Sequence, residues 1–288
     1  MAEIVLENVS FYHGKDTPYE IKALNNINIT IPHGAITGLI GHTGSGKSTL
    51  VQMLNGLLRP DEGKIYIDGV DIWSEPKKIR EVRFRVGLVM QYPEYQLFDE
   101  TIYKDISFGP KNMGLSEDEI KTKVEEAADF AGLDRDLLDK SPFDLSGGQK
   151  RRAAIAGIIA MRPEVLVLDE PAAGLDPRGR DSIFNNIIEY QRKSGSTVII
   201  VSHSMEDMAK LCDNLIVMSS GEIFMNGDRE TVFGQPEKLT SVGLDVPQIT
   251  QLMSLLAARG INVNKGIYTV EQACSFIKNN LRLNGKKQ

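Results

Sequence analysis

Residues 41–48, Gly-His-Thr-Gly-Ser-Gly-Lys-Ser, constrain this chain more than any other stretch. They fit the pattern G-x-x-x-x-G-K-[ST], a loop whose backbone N–H groups turn inward around phosphate oxygens. A Cβ at the glycines would obstruct that turn. The flanks fit as well. Residues 35–40 read as a buried strand, and residues 48–58 read as a helix with apolar positions at 50, 53, 54, 57 and 58. Strand, glycine loop and helix in that order predict a phosphate site at a helix N-terminus, where the helix dipole adds partial positive charge. The candidate nucleotide-binding residues are Gly41, His42, Thr43, Gly44, Ser45, Gly46, Lys47, Ser48 and Thr49. Lys47 is expected to reach the terminal phosphates, and Ser48 to ligate Mg²⁺.

A second strand, residues 165–168, runs directly into Asp169 and Glu170. In a phosphate-loop protein the acid at this carboxyl end sits beside the phosphates. Asp169 suits a Mg²⁺ ion held through its water shell, and Glu170 suits a base that polarises the attacking water. Alone, the two acids also fit a plain pair of surface carboxylates. Leu145-Ser146-Gly147-Gly148-Gln149 opens a helix expected over 150–161. Ser146 and Gln149 have capping-box spacing, and the two glycines leave N–H groups open at the helix start. Taken singly, that segment needs nothing beyond a well-capped helix.

Together and in this order, the three motifs resemble the ATP-binding-cassette (ABC) ATPases over about residues 2–230. The resemblance implies an α/β fold of the P-loop NTPase ABC type. It has a mainly parallel sheet, an N-terminal antiparallel β subdomain and an inserted helical subdomain at about 92–162. It also implies ATP and Mg²⁺ as cofactors. Lys47, Gln91, Glu170 and His203 become the catalytic candidates, and Ser48, Gln91 and Asp169 the metal candidates. Gln91 looks like the Q-loop glutamine, Asp176 in Gly174-Leu175-Asp176 like the D-loop, and His203 like the switch histidine that senses the γ-phosphate. Ser146, Gly147, Gly148 and Gln149 would close on the ATP of a partner subunit. Asp176 before Pro177 equally makes a plain N-cap with proline at the first helical position. One position departs from the family: where a tyrosine usually stacks on adenine, the sequence has His13, preceded by Tyr12. Strand alternation puts those two rings on opposite faces unless the strand bulges. His13 is the candidate.

Residues 91–101 (Gln-Tyr-Pro-Glu-Tyr-Gln-Leu-Phe-Asp-Glu-Thr) and 108–112 (Phe-Gly-Pro-Lys-Asn) are similar to the A-prime ATPase subunits of energy-coupling factor (ECF) transporters. That likeness implies a role energising import of vitamins or transition-metal ions, with ATP sandwiched between two ATPase subunits. The implied partners are a second ATPase subunit in a heterodimer, a transmembrane T component and a substrate-binding S component. The implied place is the cytoplasmic face of the cell membrane, as a peripheral subunit. Tyr92, Tyr95, Leu97 and Phe98 suit a groove for a T-component helix, and equally suit core packing. The alternatives are the ATPase of another ABC importer and a soluble ABC ATPase for cofactor assembly.

Composition bounds the rest. Lys and Arg number 33 against 39 Asp and Glu, a net charge of −6, which argues against nucleic acid as a partner. Cys212 and Cys274 are the only cysteines, and neither has a Cys or His at metal-ligand spacing. A zinc site and a disulfide framework are therefore not expected, and a reducing compartment is the default. The first residues lack the basic and apolar segments of a signal peptide. The most apolar window, residues 153–161, is too short to span a bilayer. Spanning helices would have to come from other chains.

Short strands are expected at 4–6 and 27–31, a hairpin turning at Asp68-Gly69, and a strand at 86–90. A charged helix follows at 117–130. Strands at 165–168, 197–201 and 215–218 alternate with helices at 177–193 and 205–211, which predicts a parallel sheet covered on both faces. Residues 1–234 read as one ATPase domain, and 235–288 as a helical tail available for subunit contacts. The tail shows apolar stripes at 249, 252, 253 and 256 and at 270, 273, 274, 277 and 281, with Thr269 and Gln272 spaced as a capping box.

Overall fold

The computed structural model describes residues 3–263 and 266–284, with side chains as far as residue 279. In chain order the strands are β1 (Ile4–His13), β2 (Ile21–Ile31), β3 (Ile36–Gly41), β4 (Glu62–Ile67), β5 (Val70–Asp71), β6 (Val86–Val89), β7 (Val165–Asp169), β8 (Thr197–Val201), β9 (Asn214–Ser219) and β10 (Glu222–Asp228). Among the described residues they form two sheets. An antiparallel sheet is ordered β2-β1-β4-β5, and a larger one is ordered β10-β9-β3-β8-β7-β6. In the larger sheet β9, β3, β8, β7 and β6 run parallel, and β10 pairs antiparallel at the edge.

Apolar alternation sorts the core into two layers. On β7, Val165 and Val167 face the antiparallel sheet and pack with Ile4, Leu6 and Ile65, whereas Leu166 and Leu168 face the other way. On β8, Ile199 and Val201 join the first layer, Val198 and Ile200 the second. Both faces are covered, so every residue of β8 is buried and the strand reads as an unbroken apolar run.

Helices supply the covers. They are α1 (Lys47–Leu54), α2 (Ile79–Arg85), α3 (Ile102–Asn112), α4 (Glu117–Ala131), α5 (Gly147–Ile159), α6 (Pro177–Ser194), α7 (Met205–Leu211), α8 (Arg229–Phe233), α9 (Pro236–Ser241), α10 (Gln248–Ala258) and α11 (Val270–Asn284). Leu50, Met53 and Leu54 of α1 enter the first layer, and α3 to α6 cover the second through Ile106, Val124, Ala156 and Ile183. Asp176 caps α6 by accepting from Gly179 N at 2.9 Å, with Pro177 in the first turn. The cap expected there is present.

Some boundaries differ from the sequence expectation. α1 stops at Leu54 and not at residue 58. Gly56 turns the chain at φ 69°, the Asn55 side chain donates to Val86 O, and Leu57 is left exposed. β6 ends at Val89, short of Met90 and Gln91. β1 and β2 extend well beyond their apolar cores because main-chain pairing continues through polar residues. β10 was not expected. The hairpin at Asp68-Gly69 is present, with φ of 52° and 74° at its two turn residues, the positive values a tight two-residue turn needs.

Among the described residues the tail holds three helices beyond residue 235, one more than its two apolar stripes imply. Leu239, Leu244, Val246 and Tyr268 join the main core. Met253, Ile267 and Ala273 make a small core of their own, flanked by Ile249, Leu256 and Phe276. Thr269 and Gln272 exchange cap hydrogen bonds at 3.2 Å each way. Leu252, Val270, Cys274 and Ile277 stay exposed, and the Leu281 side chain lies outside the described residues.

Candidate nucleotide site

The glycine loop connects the carboxyl end of β3 to the first turn of α1. Two of its glycines are dictated by sterics. A Cβ on Gly41 would sit 2.5 Å from Met218 O, and one on Gly46, at φ 99°, would sit 2.7 Å from Ala23 O. Gly44 faces open space. Lys47 is buried, and its ammonium donates to Gly41 O at 2.7 Å and His42 O at 3.0 Å, which holds the cation against the loop. Burial pushes its pKa down, opposed by the charges of Asp169 and Glu170. Thr49 Oγ1 lies 3.3 Å from His13 Nε2, so the His13 ring stands beside the start of α1. The β1–β2 pairing shifts between Phe11 and Tyr12, where β2 carries the extra residue Ala23, but runs regularly from Tyr12 (opposite Lys22) to His13 (opposite Ile21), so the two rings keep to opposite faces. Tyr12 instead lies among cations, with Lys15 and Lys22 ammoniums 5.7 and 5.3 Å from its ring centre.

Asp169 ends β7 opposite Val201 of β8, so the strand ends bring Asp169, Glu170, Ser202 and His203 together beside the loop. Glu170 is held at φ 50°, a strained conformation for a residue with a side chain. Ser202 Oγ donates to Glu170 Oε2 at 3.4 Å, and His203 Nε2 lies 3.6 Å from Glu170 Oε1. Oε1 itself is buried without a hydrogen bond. Burial raises the pKa of both acids. His203 opposes the rise for Glu170, and Lys47, His203 and the Ser48 hydroxyl oppose it for Asp169. Among the described residues no group of three or more His, Cys, Asp or Glu could hold a metal ion. The protein oxygens here are the Ser48 hydroxyl and the Asp169 carboxylate, close enough for the hydroxyl to lower the Asp169 pKa. So sparse a donor set fits Mg²⁺, which keeps several waters and takes other ligands from substrate phosphates.

The other sequence candidates fall into two places. Gln91 is exposed, just past the carboxyl end of β6, the strand beside β7. Ser146 caps α5 in a capping box with Gln149, whose side chain returns to Ser146 N at 2.8 Å. A Cβ on Gly147 would meet nothing within 4 Å, and one on Gly148 only Leu175 at 4.0 Å. The start of α5 is thus an open surface, and among the described residues no hydrogen bond ties it to the glycine loop of its own chain. Of the aromatic segment, Leu97 packs on the core, whereas Tyr92, Tyr95 and Phe98 are exposed.

The family model described as ABC transporter matches residues 24–173, just over half the chain. The chain belongs to the ABC transporter family. Similar proteins include the "energy-coupling factor transporter ATP-binding protein EcfA2" of Caldanaerobacter subterraneus subsp. tengcongensis. It is 53% identical over 279 residues, covering 97% of this chain and 98% of that protein. The protein of the same name in Clostridium tetani is 53% identical, over 94% of each chain. Among solved structures, cbiO1 of Clostridium perfringens, part of the ABC transporter complex cbiONQ, superposes with a TM-score of 0.74. It is 40% identical, over 87% of this chain and 98% of that one. The cassette MJ0796, in a dimeric post-hydrolysis state bound to ADP and Pi, superposes at 0.70 with 27% identity, over 78% and 98%. The fold is that of an ABC ATPase cassette, with the expected antiparallel, parallel and helical parts.

This ABC cassette also contains side chains that sequence reasoning did not single out. Arg151 is buried on α5 and binds Glu94 and Ala173 O. Arg180 of α6 donates to Asp207 at 2.8 Å and to Ser204 Oγ at 2.5 Å, tying the helix after Asp176 to the loop that carries His203. Ser202 Oγ accepts from Ser204 N at 3.1 Å while donating to Glu170. Ser202 was legible from its place at the end of a parallel strand. The two arginines were not, because partners far apart in sequence leave no periodic signal. A cavity of about 840 Å³ opens at the opposite end of the strands, between Phe130, Glu164, Tyr190 and Ser196, away from these groups. No helix among the described residues is long and apolar enough to cross a membrane.

Proposed function

We propose that this chain is the A-prime-type ATPase subunit of an ECF importer for vitamins or transition-metal ions. It works at the cytoplasmic face of the cell membrane beside a sister ATPase, a transmembrane T component and a substrate-binding S component. Nucleic acid is not a partner. Residues 1–234 act as the ATPase domain, with the helical subdomain at about 92–162, and the tail from 235 adds subunit contacts. The likeness to two EcfA2 proteins over nearly the whole of each chain supports the subtype.

The observation that carries the mechanism is the split between two half-sites. Lys47, Ser48, Asp169, Glu170 and His203 gather at one end of the sheet, while Ser146, Gly147 and Gly148 present an open helix start elsewhere. The loop from Gly41 to Ser48 wraps the ATP phosphates with backbone N–H groups, and Lys47 meets their charge. His13 lies against the base and Thr49 helps orient it. Ser48, Asp169 and Gln91 would hold Mg²⁺, which when bound would neutralise charge on the phosphates. Glu170 accepts the proton of the attacking water. Its raised pKa and unbonded Oε1 leave an acceptor free for that proton. His203 senses the γ-phosphate, and Asp176 lies at the subunit boundary. Ser146, Gly147, Gly148 and Gln149 close on the partner's ATP, so hydrolysis removes a contact shared by two chains.

The test is copurification. The tagged chain should bring down integral membrane subunits and a second ATPase, and the complex should hydrolyse ATP. Lys47→Ala should cut turnover at this cradle about a hundredfold or more. A Lys47→Ala complex with wild-type turnover at its own site, or a chain that purifies alone and hydrolyses ATP at full rate, would overturn the proposal.

A further inference from the structure

Arg151 sits five residues beyond Ser146 on α5 and is 3% exposed. Its guanidinium ties its own helix to two other elements. Nε and Nη2 donate to the two carboxylate oxygens of Glu94 at 3.1 and 2.8 Å, a bidentate pair between residues 57 apart in the chain. Nη1 donates to Ala173 O, in the loop between Glu170 and Asp176. Glu94 lies in a single helical turn, Pro93–Gln96, just past Gln91. Tyr92 enters that turn at φ 56°, a conformation its side chain disfavours, so the path is imposed from outside. Beyond the turn, Phe98 N and Asp99 N both donate to Asp105 of α3, at 3.1 and 3.2 Å. The segment is therefore pinned at both ends, and between the pins its Tyr95 is 85% exposed. Stability does not call for an ion pair here, since an apolar pair of similar volume commonly serves as well in a buried place. What the guanidinium adds is a rigid, directional link between three elements.

We infer that Arg151 is a positioning residue that couples the exposed aromatic segment to the signature helix and to the loop following Glu170. A displacement of Pro93–Gln96 cannot leave α5 behind without breaking the bidentate pair, nor Ala173 behind without breaking that pair or the Nη1 bond to Ala173 O. A membrane subunit pressing on Tyr95 and Phe98 thereby moves Ser146 and the neighbourhood of Glu170 together. This coupling rests on the reading of Tyr95 and Phe98 as the face that meets the T component.

The test uses the assembled importer in lipid vesicles, with Glu94→Gln, Arg151→Lys and Arg151→Met in this chain. Three quantities are read: the KM for ATP, kcat, and ATP consumed per substrate molecule moved. The complexes are expected to copurify normally and to keep KM within about twofold. ATP consumed per molecule moved should rise about three- to tenfold, with Arg151→Lys intermediate between wild type and Arg151→Met. A wild-type ratio in Glu94→Gln and Arg151→Lys would overturn the coupling role, even if their melting temperatures fall. So would a KM that rises in step with the fall in kcat. If Arg151→Met does not assemble, the other two variants decide by the same criteria. The docking reading fails by a different sign: Tyr95→Ala and Phe98→Ala would leave copurification of the membrane subunit and transport unchanged.

Discussion

Glu170 concentrates the conflict between folding and chemistry at a single residue. Its backbone is strained at φ 50°, and its carboxylate is partly buried with Oε1 unbonded. Burial lifts its pKa above the ordinary value of 4.5. Between that value and the raised one, the folded chain keeps a proton that the unfolded chain has released. Stability therefore falls as pH rises through this window, and the deficit is complete above it. Glu170→Gln removes the charge at constant shape. Melting of the ligand-free variant at pH 7 should show a gain of up to about 1 kcal/mol, and that gain should vanish below pH about 4. The same variant should bind ATP, stall hydrolysis and accumulate an ATP-bound dimer. A variant less stable than wild type at pH 7, or one that turns over normally, would contradict this reading. His13 acts differently. Its ring beside Thr49 can hold a base in ground state and transition state alike. His13→Ala should therefore raise KM for ATP about tenfold and leave kcat unchanged. A fall in kcat at constant KM would remove His13 from base contact.

At the scale of elements, legibility followed the apolar pattern. β8 and α7 match their expected spans to the residue, because one is an unbroken buried run and the other starts at the capping Ser204. β10 escaped because its residues, Glu-Ile-Phe-Met-Asn-Gly-Asp, are only half-buried at alternate positions and offer no apolar run. The gathering of Lys47, Asp169, Glu170 and His203 followed from motif order and strand ends. The Glu94–Arg151 pair had no such signature, since a charged residue reads as surface until its partner is known. The tail shows the limit of the pattern in another way. Both stripes were visible, yet the sequence could not say which residues face inward. The structure divides them, with Met253 and Ala273 inside and Leu252 and Ile277 outside. Met253→Ala should cost about 2–5 kcal/mol of local stability. Hydrogen exchange should then speed up across α10 and α11 while ATP affinity at Lys47 holds. Equal loss of protection in β3 and β8 would mean that the tail and the cassette unfold as one unit.

For the whole molecule, the proposed mechanism gives each chain two unlike surfaces of one reaction. The loop around Lys47 is closed over by its own chain on several sides: Gly41 and Gly46 have no room for a Cβ. The start of α5 is the reverse, since a side chain added at Gly147 meets nothing of its own chain. A bulky residue there is consequently harmless to the isolated fold and obstructive only to something arriving from outside. Gly147→Trp should leave the melting temperature and the ATP affinity of this chain within experimental error. In the heterodimer it should cut hydrolysis about a hundredfold at the sister's cradle, which this helix would cover, and spare the cradle of the mutated chain. Pairing Gly147→Trp with a Lys47→Ala equivalent in one subunit at a time separates the two cradles. Placing both defects in the same pocket should leave the other pocket active; placing them in opposite pockets should silence both. If Gly147→Trp instead weakens ATP binding to its own chain, the two surfaces serve one cradle within a single polypeptide, and the shared-site mechanism is wrong.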